Sequence, residues 1–428
     1  MDMAIRPRIG YLVPCFPGPS HPAFWREIRA LEAQGVEVVT YSTRPPAPDH
    51  LVHPWSAEAA ARTEYLARRA ATGLRALPAL PWGEIRGAER GFGADLVRAL
   101  GPALALAESA ARHSLRHVHV HSTGLVATIA ALSERLGGPS YSLTLHGPLS
   151  EDGPGQNFKW RGARFATVVT RRLLAEVKTV LREDRPARVV VQPMGVDTLA
   201  FSRQDPYAPA ASGGPFRIFA CGRLEEARGF QDLLAALRRL TDRGTPATLR
   251  IAGEDDAGGR GFRQVLEARI RELRLDGRVA LLGTLGEGRV LEELRAAHAF
   301  ALPSHREPLG VALMEAMACG LPVVGTATGG ARELVTHGVD GILVPPRDPV
   351  ALAGALEGLA RSPARATTVS RAARARVEAD FDASRGALSL MREMGLRPFD
   401  EIEDDLPPIA ATPISASSRE GPGRWRAT

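Results

Sequence analysis

The sequence predicts an α/β protein made of two Rossmann-like, doubly wound parallel-sheet domains facing a central cleft. Three observations carry this reading. Short apolar runs alternate with helical patterns along both halves of the chain. The runs are continuous rather than alternating, as strands are when helices cover both faces of a parallel sheet. A polar stretch rich in Pro, Ala and Gly then divides the 428 residues into two arrays of similar length.

The first array opens on IGYLVPCF (9–16), a loop containing Pro and Gly, and a helical pattern at about 22–34 that Gly35 stops. VEVVTYS (36–42) is the next strand, and a strand–helix–strand unit of this size is a parallel βαβ crossover. Residues 57–115, rich in Ala, Leu and Arg, read as mostly helical. Strands follow at HVHVH (117–121), YSLTLH (141–146), ATVVT (166–170) and RVVVQP (188–193). The second array has strands at FRIFACG (216–222), TLRIAG (248–253), RVALLG (278–283), AFALPS (299–304), PVVGTA (322–327) and GILVPP (341–346). Helical patterns lie between them at about 229–243, 261–274, 287–297, 311–319 and 331–336, and helices at 348–380 and 384–395 close the fold. The expected division is a first domain at 1–197, a linker at 198–215, a second domain at 216–380 and a closing helix at 381–399. Residues 400–428, acidic at the start and rich in Pro and Ser at the end, are expected to be a disordered tail.

Composition narrows the function classes. Charged residues are 24% and hydrophobic ones 44%, ordinary values that exclude a disordered or fibrous protein for the bulk of the chain. The net charge is +6, yet the arginines are interspersed with acids and aromatics are only 5%, which disfavours nucleic acid as a partner. Lysine occurs only at Lys159 and Lys178, so chemistry often done by Lys falls to Arg. Three scattered cysteines, Cys15, Cys221 and Cys319, argue against a disulfide framework and for a reducing compartment. No apolar run reaches the ~18–20 residues of a membrane span. The N-terminus reads as a strand rather than a signal peptide, so a soluble cytoplasmic protein is expected. The stretch 62–90 mixes Arg with Leu, Trp and Tyr; it reads either as a solvated helix or as a surface for peripheral contact with an anionic membrane.

Neither GxGxxG after the first strand nor a P-loop is present. Ligands of doubly wound sheets bind beyond the carboxyl ends of strands, and there the sequence is informative. In LPSHREPLGVALMEAMACG (302–320) a strand, a short polar loop and a helix follow in turn. The helix N-terminus offers unpaired N–H groups to an anion, and Gly310 permits close approach. Glu307 and Glu315, eight residues apart, would be ~12 Å apart along a continuous helix, too far for the ~5–5.5 Å of a retaining glycosidase pair. They read as two separate recognition carboxylates, or more blandly as a helix-start acid and a solvated one. In CGRLEEARGF (221–230), Arg223 and Arg228 follow a strand; planar guanidinium groups suit a diphosphate, although either could simply pair with Glu225 or Glu226. His146 ends a strand before Gly-Pro and reads as a cleft residue, with a satisfied core histidine as the alternative. His117, His119 and His121 share one strand face, with no carboxylate or Cys expected beside them, so no metal site is expected. Asp197 reads as a loop or cap residue and Glu27 as a helix-surface residue.

These segments resemble a known family. GRL…RGF, IAGE (251–254) and ALPSHREPLGVALMEAMACGLPVVGTATGGARELV…GILVPP are similar to the donor half of the retaining glycosyltransferases of family 4, which have the GT-B fold. SHPAFWREIRALEAQGVEV, HVHVHSTGLVATIAALSERLG, SLTLHGP and VVVQPMGVDTLAF resemble its acceptor half, so the likeness covers most of 8–395. The resemblance implies a UDP- or GDP-sugar donor and a glycan or polyprenyl-linked lipid acceptor, in exopolysaccharide or cell-envelope glycan synthesis. It implies that Glu315 binds the nucleotide ribose and that Glu307 binds donor-sugar hydroxyls beside Leu309, Gly310 and Val311. Arg223 and Arg228, with Gly222 close by, would hold the diphosphate, and His146 would reach the donor sugar; these implied catalytic residues are His146, Glu307, Arg223 and Arg228. The family usually has Lys where Arg228 stands, and its glycine-rich first loop is here FPGPSH, with one glycine. No D-x-D stands in a plausible position, so no metal or other cofactor is expected. A GT-B nucleotide-sugar 2-epimerase and a non-catalytic nucleotide-sugar binding protein remain the alternatives.

Overall fold

The computed structural model describes residues 6–396 apart from 19–20, 48–50, 67–82, 84–88, 212 and 256–260. Most of the 62–90 stretch and the whole of 400–428 therefore lie outside the described residues. Among the described residues no helix is long and apolar enough to cross a membrane.

The described residues form two parallel sheets. The first has seven strands: β1 (Arg8–Val13), β2 (Glu37–Ser42), β3 (Thr63–Tyr65), β4 (His117–His121), β5 (Ser140–Leu145), β6 (Ala166–Val168) and β7 (Val189–Val191). Their spatial order is β3-β2-β1-β4-β5-β6-β7. The second has six: β8 (Phe216–Cys221), β9 (Ala247–Ala252), β10 (Val279–Leu281), β11 (Ala299–Leu302), β12 (Val323–Thr326) and β13 (Ile342–Val344), in the order β10-β9-β8-β11-β12-β13. All the pairings are parallel, and the central strands are buried on both faces, which is why they read as unbroken apolar runs.

In each sheet the order of connection reverses once, between β1 and β4 and between β8 and β11. Register there pairs Leu12 with Val120 and Phe219 with Phe300. These reversals open crevices beyond the strand ends where doubly wound sheets bind ligands. The loops after β8 and β11 carry Arg223, Arg228 and Glu307, and the end of β4 carries His121.

Two elements differ from expectation, and the linking stretch is closely held. The described part of 57–115 holds the short edge strand β3, whose Thr and Tyr favour extended backbone over the alanine-rich surroundings. The helical pattern at 348–380 is two helices, Pro349–Arg361 and Pro363–Asp380, because Ser362 caps the second and Pro363 cannot continue the first. The stretch expected as a linker is pinned to the second sheet's domain: Arg203 donates to the carbonyls of Cys319 and Leu294 at 2.7 Å each, and Phe201 is buried.

The chain then returns to the first domain. Val196 N–H donates to Phe381 O, and Ala383 N–H to Val196 O, both at 2.9 Å. Gly195 is required here, since a Cβ would stand 2.6 Å from the Ala383 nitrogen. The helix Ala383–Met394 then buries Ala387, Leu390 and Met391 in one cluster with Ile9, Tyr11, Trp25 and Ile28.

Candidate active site

Glu307 is the hub of the second domain's crevice. It is 6% exposed and accepts three hydrogen bonds: from Arg228 Nη1 at 2.7 Å, Ser304 Oγ at 2.9 Å and Gly310 N–H at 3.0 Å. Gly310, at φ +90, supplies the left-handed turn that starts the helix Val311–Ala318. The loop after β12 closes the other side: Gly330 N–H donates to Glu307 O at 2.8 Å, and a Cβ on Gly329 would lie 2.0 Å from that oxygen. The loop after β8 is equally tight, because a Cβ on Gly229 would lie 2.1 Å from Pro303 O.

Arg228 thus bonds to Glu307 through Nη1, while its buried Nε lies 3.3 Å from Glu225 Oε1 outside hydrogen-bond geometry. Arg223 is half-exposed and 3.7 Å from the same Glu225 oxygen. Gly222 N–H is committed to the sheet through Ala252 O, and the Gly310 amide, implied for a ligand, is taken by Glu307 in this state. Leu309 is buried and Val311 half-buried beside them. Burial pushes the Cys221 thiol at the end of β8 up to about 12, so it is no nucleophile. A cavity of about 520 Å³ lined by Glu226, Ala227, His305, Arg306, Pro346 and Arg347 opens among the loops after β8, β11 and β13.

Glu315, on the next turn of the helix, is not a solvated face residue. It is 9% exposed and accepts from Arg26 Nη2, at 2.7 Å, across the boundary between the two domains. The same Nη2 donates to Glu287 Oε1 at 2.7 Å, and Trp55 Nε1 donates to Glu287 Oε2 at 3.0 Å. Burial raises the Glu315 carboxyl against the opposing pull of Arg26. Glu287 is lowered: burial would lift it, but the Arg26 charge and hydrogen bonds outweigh that. The guanidinium also lies 4.6 Å from the Phe201 ring centre.

The first domain corrects two expectations. Glu27 is buried rather than on the helix surface, because the helix Pro22–Ala33 lays this face on β1 and β4: Tyr11 Oη donates to Glu27 Oε2 at 2.6 Å. A carboxylate therefore does stand beside the histidine strand, with His121 Nε2 3.0 Å from Glu27 Oε2. Donor atoms of Glu27, His119 and His121 lie within 4.8 Å of one another. Both ring nitrogens of His119 are already engaged, however, by Ser142 Oγ and Thr144 Oγ1 at 2.7 Å each. His146 Nε2 meets His121 Nδ1 at 3.0 Å, and its ring packs edge-on against Phe24. Asp197 caps its loop, accepting from the amides of Leu199 and Ala200.

The sequence holds no sign of Arg26 or Glu287, and it places Glu27 on the helix surface although a signal for its burial is there. The available signal was HVHVH itself: in a strand buried on both faces, three in-register histidines need polar partners from an adjoining element.

Residues 203–376 match the family described as Glycosyl transferases group 1. The matched span contains Glu307, Arg223 and Arg228. The chain is 39% identical over 170 residues to a glycogen synthase of Mycobacterium tuberculosis, covering 40% of each chain. It is 36% identical over 178 residues to the amylovoran biosynthesis glycosyltransferase AmsK of Erwinia amylovora, covering 39% of this chain and 42% of that one. The matched region thus spans less than half of these relatives' length. In structure, HepE from Anabaena, solved in complex with UDP and with UDP-glucose, superposes with a TM-score of 0.70 at 19% identity, covering 91% of this chain and 99% of that one. The fold is therefore the GT-B arrangement.

Proposed function

We propose that this protein is a retaining glycosyltransferase of family 4 that moves a sugar from a UDP- or GDP-sugar to a glycan or lipid-linked acceptor in exopolysaccharide or envelope-glycan synthesis. The observation that carries this reading is the Glu307 hub, with Arg228, Arg223 and a helix start gathered at the crevice between β8 and β11. Glycosyl transfer must stabilise a departing nucleoside diphosphate while positive charge develops at the sugar. Fixed guanidinium groups and helix-start amides meet that demand without reorganising. In this reading Arg223 and Arg228 hold the diphosphate, Glu307 orients Arg228 and accepts from the donor sugar, and Glu315 offers Oε2 to the ribose while Arg26 holds Oε1. His146 approaches the sugar from the first domain. Transfer is metal-independent, and the protein works in the cytoplasm, at the inner membrane face when the acceptor is a lipid.

The exopolysaccharide assignment is supported by the likeness to AmsK, and the nucleotide-sugar donor by HepE, solved with UDP and UDP-glucose. Thermal-shift titration with UDP, GDP and their hexoses is the test. One of them should raise the melting temperature in proportion to ln(1 + [L]/Kd), and its sugar should be transferred in the presence of EDTA. Absence of a shift with every nucleoside diphosphate rejects the reading, and activity lost on chelation and restored by Mn²⁺ rejects the metal-independent mechanism. Epimer formation without acceptor selects the epimerase instead.

A further inference from the structure

The first sheet contains a buried polar chain at its own crevice, between β1 and β4. Tyr11 Oη donates to Glu27 Oε2 at 2.6 Å, and His121 Nε2 lies 3.0 Å from that same oxygen, off the ideal hydrogen-bond angle. His121 Nδ1 meets His146 Nε2 at 3.0 Å. Tyr11 and His121 are fully buried, and His146 ends the chain, half-buried, just beyond β5. His119 on the same face does not take part, since two hydroxyls hold its ring.

A neutral imidazole carries one N–H and one lone pair, so a row of neutral imidazoles passes a fixed polarity along itself. Burial lowers both His121 and His146 to about 3, which keeps them neutral near pH 7. The Tyr11 hydroxyl donates to Glu27 and favours its ionised form against the raising effect of burial. Ionised Glu27 then takes the proton side of His121 Nε2. His121 Nδ1 is left to accept from His146 Nε2–H, and His146 Nδ1 is left with a lone pair. Protonating Glu27 reverses every bond in the row and turns His146 Nδ1 into a donor.

We infer that Glu27 and His121 are positioning residues that hold His146 as the Nε2–H tautomer, so that its Nδ1 presents an acceptor to a hydroxyl of the sugar in the cleft. The identity of that ligand rests on the proposed function; the tautomer relay does not. The groups facing the row are Tyr11 from β1, His21 at the start of the first helix, Glu27 within it, His119 from β4 and Asp152 from the loop after β5. Burial raises the Glu27 carboxyl, so its anion, and with it the acceptor state of His146, is lost at a higher pH than for an exposed glutamate.

The test is ¹⁵N NMR of histidine-labelled full-length protein, with His121→Gln and His146→Gln assigning the two rings, beside the pH profile of transfer. The wild type should show Nε2–H on both rings at pH 7.5. Glu27→Gln should change the His146 tautomer, lower kcat roughly 10–100-fold with little change in donor KM, and remove the acid limb of the profile. An Nδ1–H tautomer at His146 in the wild type overturns the inference, as do an unchanged tautomer and acid limb in Glu27→Gln. So does a stoichiometric metal ion held by Glu27, His119 and His121 on elemental analysis. Where the wild type turns over no nucleotide sugar, the proposed function falls, and the NMR arm alone still decides the relay.

Discussion

Glu307 shows how one carboxylate can organise a crevice. Its three donors come from three different segments: the loop after β8, the end of β11 and the start of the next helix. Removing it strands a mostly buried guanidinium and unseats the helix start together. Glu307→Ala should lower stability by about 1–3 kcal/mol, the range for a paired group left without its partner in a partly exposed site. Glu307→Gln keeps the volume and should spare most of that stability while losing ~10²–10³ in kcat, the scale of one preorganised charge contact. Denaturant unfolding and steady-state transfer measured on both variants separate the two roles; equal kinetics in wild type and Glu307→Gln would remove Glu307 from the chemistry. Glu307, Arg228 and Gly310 were legible in the sequence because they lie close together around strand ends. Arg26 was not, since its partner Glu315 is 289 residues away. Glu27 was hidden for a related reason: the helix reads as amphipathic, but only its packing on the β1–β4 crevice tells which polar residues face inward.

At the level of elements, strands and crossovers were readable because two-sided burial leaves an unbroken apolar signature. The misses were short or polar: β3 has three residues, and the break at Ser362 sits inside a region of continuous helix propensity. How closely the stretch 198–215 is held was not legible, because its fastening uses scattered contacts: Arg203 and Tyr207 bond to backbone carbonyls of the second domain, and Phe201 is buried between exposed and half-buried neighbours. The loop after β12 gives the sharpest test of how elements brace the hub. Gly329 sits at φ +50 with its missing Cβ facing Glu307 O at 2.0 Å, whereas Gly310, at φ +90, faces side chains, the nearest being Leu313 at 3.2 Å. Gly310→Ala should cost about 1–2 kcal/mol of left-handed strain. Gly329→Ala must in addition move backbone and should cost about 3 kcal/mol or more. Thermal unfolding of the pair checks the order; Gly329→Ala proving the milder would mean the loop does not clamp Glu307.

Across the whole molecule, Arg26 is the buried charge at the domain boundary, where Glu333 also accepts from the Arg171 and Arg172 amides at the surface. One buried guanidinium neutralises Glu315 and Glu287 of the second domain from a helix of the first, and its Nη1 has no hydrogen-bond partner among the described residues. Arg26→Met keeps much of the apolar stem but leaves two neighbouring carboxylates without their cation. Burial already raises the Glu315 carboxyl, and Arg26 is the largest force opposing that rise. Without it the value climbs further, so the folded state holds a proton that the unfolded chain releases. A group raised on folding stabilises below its unfolded value and loses that contribution as pH rises through the folded one. The variant's melting temperature should therefore fall more steeply than the wild type's between pH 5 and pH 8. Its radius of gyration should also grow over the same range, because the two second-domain carboxylates, once charged, need water in place of the missing Arg26 cation and open the boundary with the first domain. Parallel slopes for the two proteins, with unchanged scattering, would show that the domains are held together without this charge, by the apolar cluster that the final helix builds on the first domain.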